Sequence, residues 1–355
     1  MNGLEKIGAK DKPAFDAFVA ENALDGNLFV ETDDAGRITT LRSNSDVKVL
    51  SESLAELSEL RTLFVRMGKV KAVPAALGKL GKLASLTIER HFLKELPKGL
   101  EALASLESLS LADNSLASLP DPFPLPNLVA LDLTDNKLAT VPKSVLAMPR
   151  LARLNLKGNP ISTLPPEIGK LARLESLVVS KAKLKALPSE IGELTALREL
   201  YVAFNKITEL PASIARLAEL ESLHVQGNAL EALPPLFELP KLRKVIASRN
   251  KIKELDPRLV ERGLEKLDVA DNPVGGFAPA LQLRAQVRDE PYKTLVRCEA
   301  ALASKPDDAD YRAVALEALR YILSDMDEHG TANAEMYGKK PRSFFDGRRK
   351  DLEGK

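Results

Sequence analysis

The sequence predicts an α/β solenoid in which one repeated unit builds a parallel sheet and a cap closes each end. Leucine occurs 61 times in 355 residues, tryptophan is absent and aromatic residues make up 5%, a bias that is typical of a repeated unit. Alignment on the pattern Leu-x-x-Leu-x-Leu, with other small or apolar residues at some of its positions, supplies that unit, because it gives ten starts at steps of 22 or 23 residues. The ten repeats, numbered one to ten below, start at Leu60, Leu83, Leu106, Leu128, Leu151, Leu174, Leu197, Leu220, Leu242 and Leu264.

Each repeat combines a short strand, a turn and a return segment. In repeat seven the alternation from Glu199 to Ala203 places Leu200 and Val202 inward and Tyr201 outward. An Asn stands eight residues after seven of the ten starts, and its amide can bond backbone groups where the chain leaves the sheet. A proline opens the return in the first eight repeats, where its fixed φ and missing N–H do no harm.

Each unit alone buries too little apolar surface, so both ends of the repeats, residues 60–274, need a cap. We assign residues 1–59 to an N-terminal cap. It contains a short helix at residues 13–20 and a hairpin at residues 28–41 that turns at residues 33–36. The second strand of this hairpin is a degenerate repeat that covers the sheet edge.

After the repeats, Gly275-Gly276 interrupts the register, and residues 275–333 are predicted to form a C-terminal helical cap. Apolar residues in helical phase predict helices at residues 291–303 and 309–328. Residues 334–355 form a basic segment that we expect to be a flexible tail, with a docking peptide around Phe344-Phe345 as the alternative.

Units such as Leu187-Pro-Ser-Glu-Ile-Gly-Glu-Leu-Thr-Ala-Leu197-Arg-Glu-Leu-Tyr-Val resemble the leucine-rich repeat family, and within it the Ras-group, plant intracellular and bacterial proteins. The resemblance covers about residues 38–274. It implies a horseshoe whose concave wall is the parallel sheet. By fold-level analogy, the Ras-group resemblance also implies a scaffold or a partner from a small-GTPase pathway.

The concave wall exposes a variable column of residues, and those residues do not build the core, so they are the candidate binding residues. In repeats six to nine, the positions four and seven residues after each start bring apolar and aromatic side chains together beside cations, a mixture enriched at protein interfaces. The predicted binding surface consists of Val178, Lys181, Tyr201, Phe204, Lys206, His224, Ile246 and Arg249. Two alternatives stay open: these are ordinary exposed apolar residues, or the C-terminal segment covers Tyr201 and Phe204.

Two further patches lie on the same predicted wall. Asp113, Asp132 and Asp135 form an acidic patch, which is the secondary predicted binding patch or a merely solvated surface. A smaller patch near the N-terminal end is expected to be buried under the N-terminal cap and consists of Phe64, Arg66, Met67, Arg90 and Phe92.

Residues that support catalysis or metal binding are scarce. His91, His224 and His329 are far apart in repeat order, and none has a Cys or a second His at ligand spacing. No glycine-rich phosphate loop follows a strand. We therefore predict no metal and no cofactor.

Cys298 is the single cysteine and has one alternative interpretation. Some bacterial leucine-rich-repeat effectors, which this chain resembles in its repeats, carry a cysteine ubiquitin ligase whose nucleophile lies in a Cys-x-Asp motif. Here the residues are Cys298-Glu299-Ala300, and only about 80 residues follow the repeats. A thiol on a buried helix face is inert because burial raises its pKa. We therefore predict a protein without enzymatic activity.

The balance of charge narrows the class of partner. Lys and Arg number 51 against 50 Asp and Glu, a formal net charge of +1, so no global field attracts nucleic acid or an anionic membrane. There is no apolar stretch of membrane-spanning or signal-peptide length, and we expect a cytoplasmic protein. The predicted function is a scaffold or interaction module that binds a protein through the concave wall. A bacterial secreted effector or immunity-type protein is the alternative, and a ubiquitin ligase that uses Cys298 is the third interpretation.

Overall fold

The computed structural model describes residues 4–24, 28–256, 258–259, 262, 264–273, 291–304, 309–329 and 342–353. They divide into two compact units. The first unit comprises Met1–Ile207 and Pro211–Leu220, and the second comprises Thr208–Leu210 and Glu221–Lys355. The predicted end of the repeats at residue 274 and the Gly275-Gly276 interruption lie outside the described residues.

The first unit contains nine strands that follow one another in chain order across a sheet. The first two strands are antiparallel, and each later strand is parallel to the one before it. The strands are β1 (Leu28–Thr32), β2 (Ile38–Ser43), β3 (Thr62–Arg66), β4 (Ser85–Glu89), β5 (Ser108–Ser110), β6 (Ala130–Asp132), β7 (Arg153–Asn155), β8 (Ser176–Val178) and β9 (Glu199–Tyr201).

The leucines of the repeat pattern form the core of this unit, as the sequence predicts. The central leucine of each strand pairs in register with its equivalent on the next strand, and none is more than 3% exposed. This row consists of Leu63, Leu86, Leu109, Leu131, Leu154, Leu177 and Leu200. Short 3-10 helices such as Pro166–Lys170 and Ser189–Glu193 lie in the return segments.

The asparagines that end the strands bond the backbone of two repeats at once. The Nδ2 amide of Asn159 donates to the carbonyl oxygens of Leu133 at 2.8 Å and Leu156 at 3.0 Å. Its Oδ1 accepts from the N–H of Leu138 at 3.0 Å. His91 replaces the Asn in repeat two, and its Nδ1 accepts from the N–H of Val70 at 3.3 Å. These backbone groups are buried and need hydrogen-bond partners. The row of asparagines, with His91 in repeat two, supplies the partners that the sheet does not.

The N-terminal cap extends the sheet and covers its apolar edge. Helix α1 (Lys12–Asn22) buries Phe15 and Phe18. It is fixed to the following segment because Asn22 donates to the carbonyl oxygen of Val49 at 2.9 Å and accepts from its N–H at 2.8 Å. Strand β2 of the hairpin β1–β2 then pairs in parallel with β3, so the predicted helix and hairpin are both present.

The second unit contains three parallel strands and three helices. The strands are β10 (Ser222–His224), β11 (Lys244–Ile246) and β12 (Lys266–Asp268). The helices, which form the predicted C-terminal helical part, are α2 (Pro291–Ser304), α3 (Ala309–His329) and α4 (Arg342–Glu353). They share a core of their own that includes Leu295, Cys298, Leu319, Ile322 and Phe345.

Helix α4 differs from the flexible tail that the sequence predicts. Phe345 is 0% exposed and its ring meets that of Tyr292 edge to face, with centroids 6.1 Å apart. Arg348 Nε lies 3.3 Å from Glu299 Oε1 on α2, so one of the basic residues is also engaged. The composition of this segment predicts solvation, whereas its buried phenylalanine and this ion pair hold it on α2 and α3.

Candidate functional site

The strand alternation places the predicted binding residues of the first unit on one face of the sheet, which we call the ladder face. Leu200 and Val202 are both 0% exposed, so Tyr201 between them points to the opposite side and is half-buried. The register pairs Asn155 with Val178, and Val178 with Tyr201. These three side chains therefore stand side by side on adjacent strands.

A second row runs beside this one, and its backbone is left-handed. Every residue seven positions after a repeat start has a φ between 50° and 74°. We call these positions the left-handed column. In the first unit they are Met67, Arg90, Asp113, Asp135, Gly158, Lys181 and Phe204, and in the second unit they are Gly227, Arg249 and Asp271. The N–H of Lys181 donates to the carbonyl oxygen of Ala203 in the next repeat at 2.9 Å, and that of Gly158 does the same to Ser180 at 2.9 Å. Bonding between repeats thus accompanies this conformation.

The residue types in the left-handed column suit a positive φ at some positions and not at others. Glycine adopts positive φ at no steric cost and aspartate does so more readily than most residues, so five of the ten positions fit their backbone. Two arginines are paired with the next aspartate in the column, Arg90 with Asp113 at 3.4 Å and Arg249 with Asp271 at 3.5 Å. At Met67, Lys181 and Phe204, neither the residue type nor an ion pair within the column accounts for the left-handed backbone. The side chains of Met67 and Phe204 are each 44% exposed.

Phe204 is therefore the centre of the candidate site in the first unit. Tyr201 and Val178 lie on the ladder face next to the left-handed column, and the side chains of Lys181 and Lys206 are exposed. The N–H of Lys206 donates to the carbonyl oxygen of Leu184 at 2.8 Å, so Lys206 lies beyond the turn rather than in the strand row. The structure thus brings Val178 and Tyr201 together and leaves Lys206 at the border of the site.

The predicted residues of the second unit fit the candidate site less well. Ile246 is only 9% exposed, so its prediction as an exposed contact residue is wrong. Its register partners are His224 and Asp268, so it stands between paired strands on both sides. His224 Nε2 lies 3.1 Å from Ser222 Oγ, and Arg249 is paired with Asp271. His224 and Arg249 stay predictions.

The aspartates of the secondary patch are engaged within the chain. Asp132 Oδ1 accepts from the N–H of Thr134 at 2.8 Å, and Asp113 pairs with Arg90. The carboxylate of Asp135 lies against Gly158, where a Cβ would collide with it. The position of these aspartates at strand ends and in the left-handed column therefore accounts for their residue type without a binding partner. Their role in binding stays a prediction.

The N-terminal patch is not buried under the cap, contrary to the expectation from sequence. Met67 is 44% exposed and Phe92 is 54% exposed. The reason is the parallel pairing of β2 with β3, because the cap adds strands at the edge of the sheet and leaves the face of β3 open. Arg66 Nε lies 3.3 Å from Glu89 Oε2, so this arginine is engaged in an ion pair.

Metal-binding groups do not converge in the described part of the chain. Among those residues no three His, Cys, Asp or Glu side chains come together in a way that would hold a metal ion. Cys298 is 0% exposed, and burial, assisted by the charge of Glu299, raises the pKa of its thiol to about 12. The described helices include none with the length and apolar character to cross a membrane.

A sheet of parallel strands at 22–23-residue spacing, an asparagine row and 3-10 returns define a solenoid repeat protein. The repeats have the leucine-rich-repeat fold, and a model of the leucine-rich repeat region matches residues 131–269. This fold is typically a protein-interaction module. No curated protein matches the chain.

Solved structures share this fold. A leucine-rich-repeat protein of Leptospira interrogans is 29% identical with a TM-score of 0.65, over 69% of this chain and 63% of that one. An internalin of Listeria monocytogenes is 20% identical with a TM-score of 0.60, over 69% of this chain and 71% of that one. The plant peptide hormone receptor RGFR1 in complex with RGF2 is 20% identical with a TM-score of 0.52, over 69% of this chain and 49% of that one. The chain thus spans less than two thirds of the Leptospira protein.

Proposed function

We propose that this chain is a non-enzymatic interaction module that binds a protein partner through the ladder face around Tyr201 and Phe204. The observation that carries the proposal is Phe204, a large aromatic side chain that is 44% exposed on a backbone with a φ of 56°. A left-handed conformation costs a non-glycine residue about 1–3 kcal/mol. Repeats five and eight avoid this cost with Gly158 and Gly227, so folding gives no reason for phenylalanine here.

The surroundings of Phe204 indicate the chemistry of the partner. Tyr201 and Val178 add apolar surface on neighbouring strands, and Lys181 and Lys206 add exposed cations. Within the described residues, neither ammonium group takes part in an ion pair. Aromatic anchors inside a polar rim are the arrangement that dominates binding energy at interfaces. A partner segment with an apolar side chain beside acidic residues fits this surface.

The state of Cys298 supports the absence of enzymatic activity. A ubiquitin-ligase cysteine has to reach its substrate as a thiolate, whereas this thiol is buried and its pKa is raised to about 12. In addition, the described residues of α2 show no His beside it that would act as a base.

The experiment captures the partner at the proposed position. A photoreactive phenylalanine analogue is placed at Phe204 in the full chain, and a second chain with the analogue at Phe92, which is 54% exposed, is the control. A protein captured at Phe204 but not at Phe92 is then purified and its affinity is measured by calorimetry.

The matched variant is Phe204→Gly, which keeps the left-handed backbone and removes only the side chain. We expect it to weaken binding of the captured protein by about 2 kcal/mol or more, because buried aromatic anchors dominate such interfaces. Lys206→Ala should act mainly on the association rate and its salt dependence. Unchanged affinity in a folded Tyr201→Ser, Phe204→Gly chain would place the interface elsewhere.

A further inference from the structure

A groove opens between the return segments of repeats four and five, within the first unit. Its volume is about 640 Å³, which lies inside the range of about 300–1,000 Å³ of small-ligand sites. Its apolar lining consists of Val141, Leu146, Ala147 and Pro165. Its polar lining consists of Thr140, Thr163, Lys143, Lys170 and Glu167. None of these residues belongs to the ladder face.

The groove coincides with a change of residue type eighteen positions after the repeat start. Repeats one, five and six have Gly78, Gly169 and Gly192 there. A Cβ at Gly169 would stand 2.9 Å from the carbonyl oxygen of Glu190 in the next repeat. A Cβ at Gly78 or Gly192 would collide with the equivalent carbonyl oxygen. Glycine therefore lets successive returns pack closely.

Repeat four has Leu146 at this position, and the residue of repeat five that corresponds to Glu190, whose carbonyl oxygen faces Gly169, is Glu167. A leucine side chain cannot share the space that the glycines leave to the neighbouring backbone. The 3-10 helix of repeat four, Val145–Ala147, is also shorter than Pro166–Lys170 and Ser189–Glu193, so this return offers less backbone to the next one. Leu146 and Glu167 both line the gap that results.

The lining combines an apolar wall with an excess of positive charge. Lys143 and Lys170 are exposed at the groove, and Glu167 is its single acidic residue. In the described part of the chain, neither lysine ammonium group has a hydrogen bond or an ion pair. We propose that this groove binds a small amphipathic carboxylate, with the apolar chain against Leu146 and Pro165 and the carboxylate at Lys143 and Lys170. Charge-assisted bonds from ammonium to carboxylate give such a ligand its orientation.

The first test titrates decanoate into the full chain by calorimetry, below the concentration at which it forms micelles. Decyltrimethylammonium, which has the same chain and the opposite charge, is the control ligand. We expect one decanoate per chain and at least tenfold weaker binding of the cation. No binding of decanoate, or equal binding of the two amphiphiles, would overturn the proposal.

The second test uses variants. Lys143→Ala combined with Lys170→Ala should weaken decanoate binding tenfold or more, whereas the matched pair Lys137→Ala and Lys185→Ala, also exposed, should leave it unchanged. Leu146→Gly should abolish binding because the returns then close as they do at Gly169. If Leu146→Gly does not fold, the lysine pair decides. Equal affinity in both lysine pairs would refute the site.

The groove stands independently of the proposed interaction surface. Phe204→Gly should not change the affinity for decanoate, and Lys143→Ala with Lys170→Ala should not change the affinity for the captured protein. A loss of protein binding in the groove variant would instead assign the groove to the protein partner and overturn the small-ligand proposal.

Discussion

Replacing Asn159 by alanine measures how much one asparagine of the row contributes to stability. Asn159 is 1% exposed and makes strong bonds to Leu133, Leu138 and Leu156, all between 2.8 and 3.0 Å. In the variant, the N–H of Leu138 and the carbonyl oxygen of Leu156 lose these bonds, whereas the carbonyl oxygen of Leu133 keeps the bond from the amide of Asn136 at 3.1 Å. The two groups that lose their bonds lie at the buried junction of two repeats.

The expected magnitude comes from these two backbone groups. A buried group that loses its partner costs about 1–3 kcal/mol, so the two together predict a loss of about 2–6 kcal/mol. This loss is a large part of the free energy of unfolding of an ordinary protein, which is about 5–15 kcal/mol. A water molecule that enters the space of the amide would bring the loss to the lower end of the range.

The assay is urea denaturation followed by circular dichroism, with midpoint and slope reported separately because repeat proteins depart from two-state behaviour. Ser162→Ala, an exposed change in the same repeat, is the control. The reverse change Ala182→Asn adds an amide at the one interior repeat that lacks a polar residue there, and it should raise the midpoint. A shift for Asn159→Ala no larger than that of Ser162→Ala would refute the argument.

Three further predictions concern His91, Cys298 and Phe345. Burial lowers the pKa of His91 from its ordinary 6.5, so the stability that the neutral ring contributes is present above about pH 6.5 and is lost as the pH falls below it. The urea midpoint of the natural chain should therefore drop more between pH 7.5 and 5.5 than that of His91→Asn, and parallel drops would contradict this. Cys298, with its pKa at about 12, should react with a thiol reagent at pH 8 far more slowly in the native chain than in urea, and equal rates would disprove its burial. Phe345→Ala should destabilise the helices by about 3–5 kcal/mol and speed the reaction of Cys298, because both side chains belong to one core; an unchanged thermal melt with an unchanged rate would show that α4 is dispensable.

The repeat pattern was sufficient to predict the core of the fold. Leucines spaced by the repeat, as at Leu154, Leu177 and Leu200, can be buried together only if successive strands pair in register, and they do. The asparagine eight residues after the start likewise has one physical use, which the bonds of Asn159 confirm. Patterns of this kind are local and repeated, so the sequence contains them directly.

The features that the sequence did not predict depend on neighbours or on backbone angles. Ile246 is 9% exposed and lies between paired strands on both sides, and the exposure that such neighbours leave is not contained in its own repeat. Phe345 is buried by contacts with helices distant in sequence, which a basic composition does not reveal. The positive φ of Phe204 has no signal in its own residue type, although Gly158 and Gly227 at the same position were visible in the alignment of repeats. The substitution at Leu146 was also visible there, as a leucine at a position that holds glycine in three other repeats.

The left-handed column also determines how this surface can be redesigned. A library that randomises the neighbouring strand row while keeping glycine, asparagine or aspartate in the column would retain folding, because those residues tolerate positive φ. Valine or isoleucine in the column would be lost from such a library for backbone reasons before any target was offered. Selection for a new target is therefore expected to alter residues such as Val178 and Tyr201 early, and to change the column only where the gain in affinity exceeds the conformational cost.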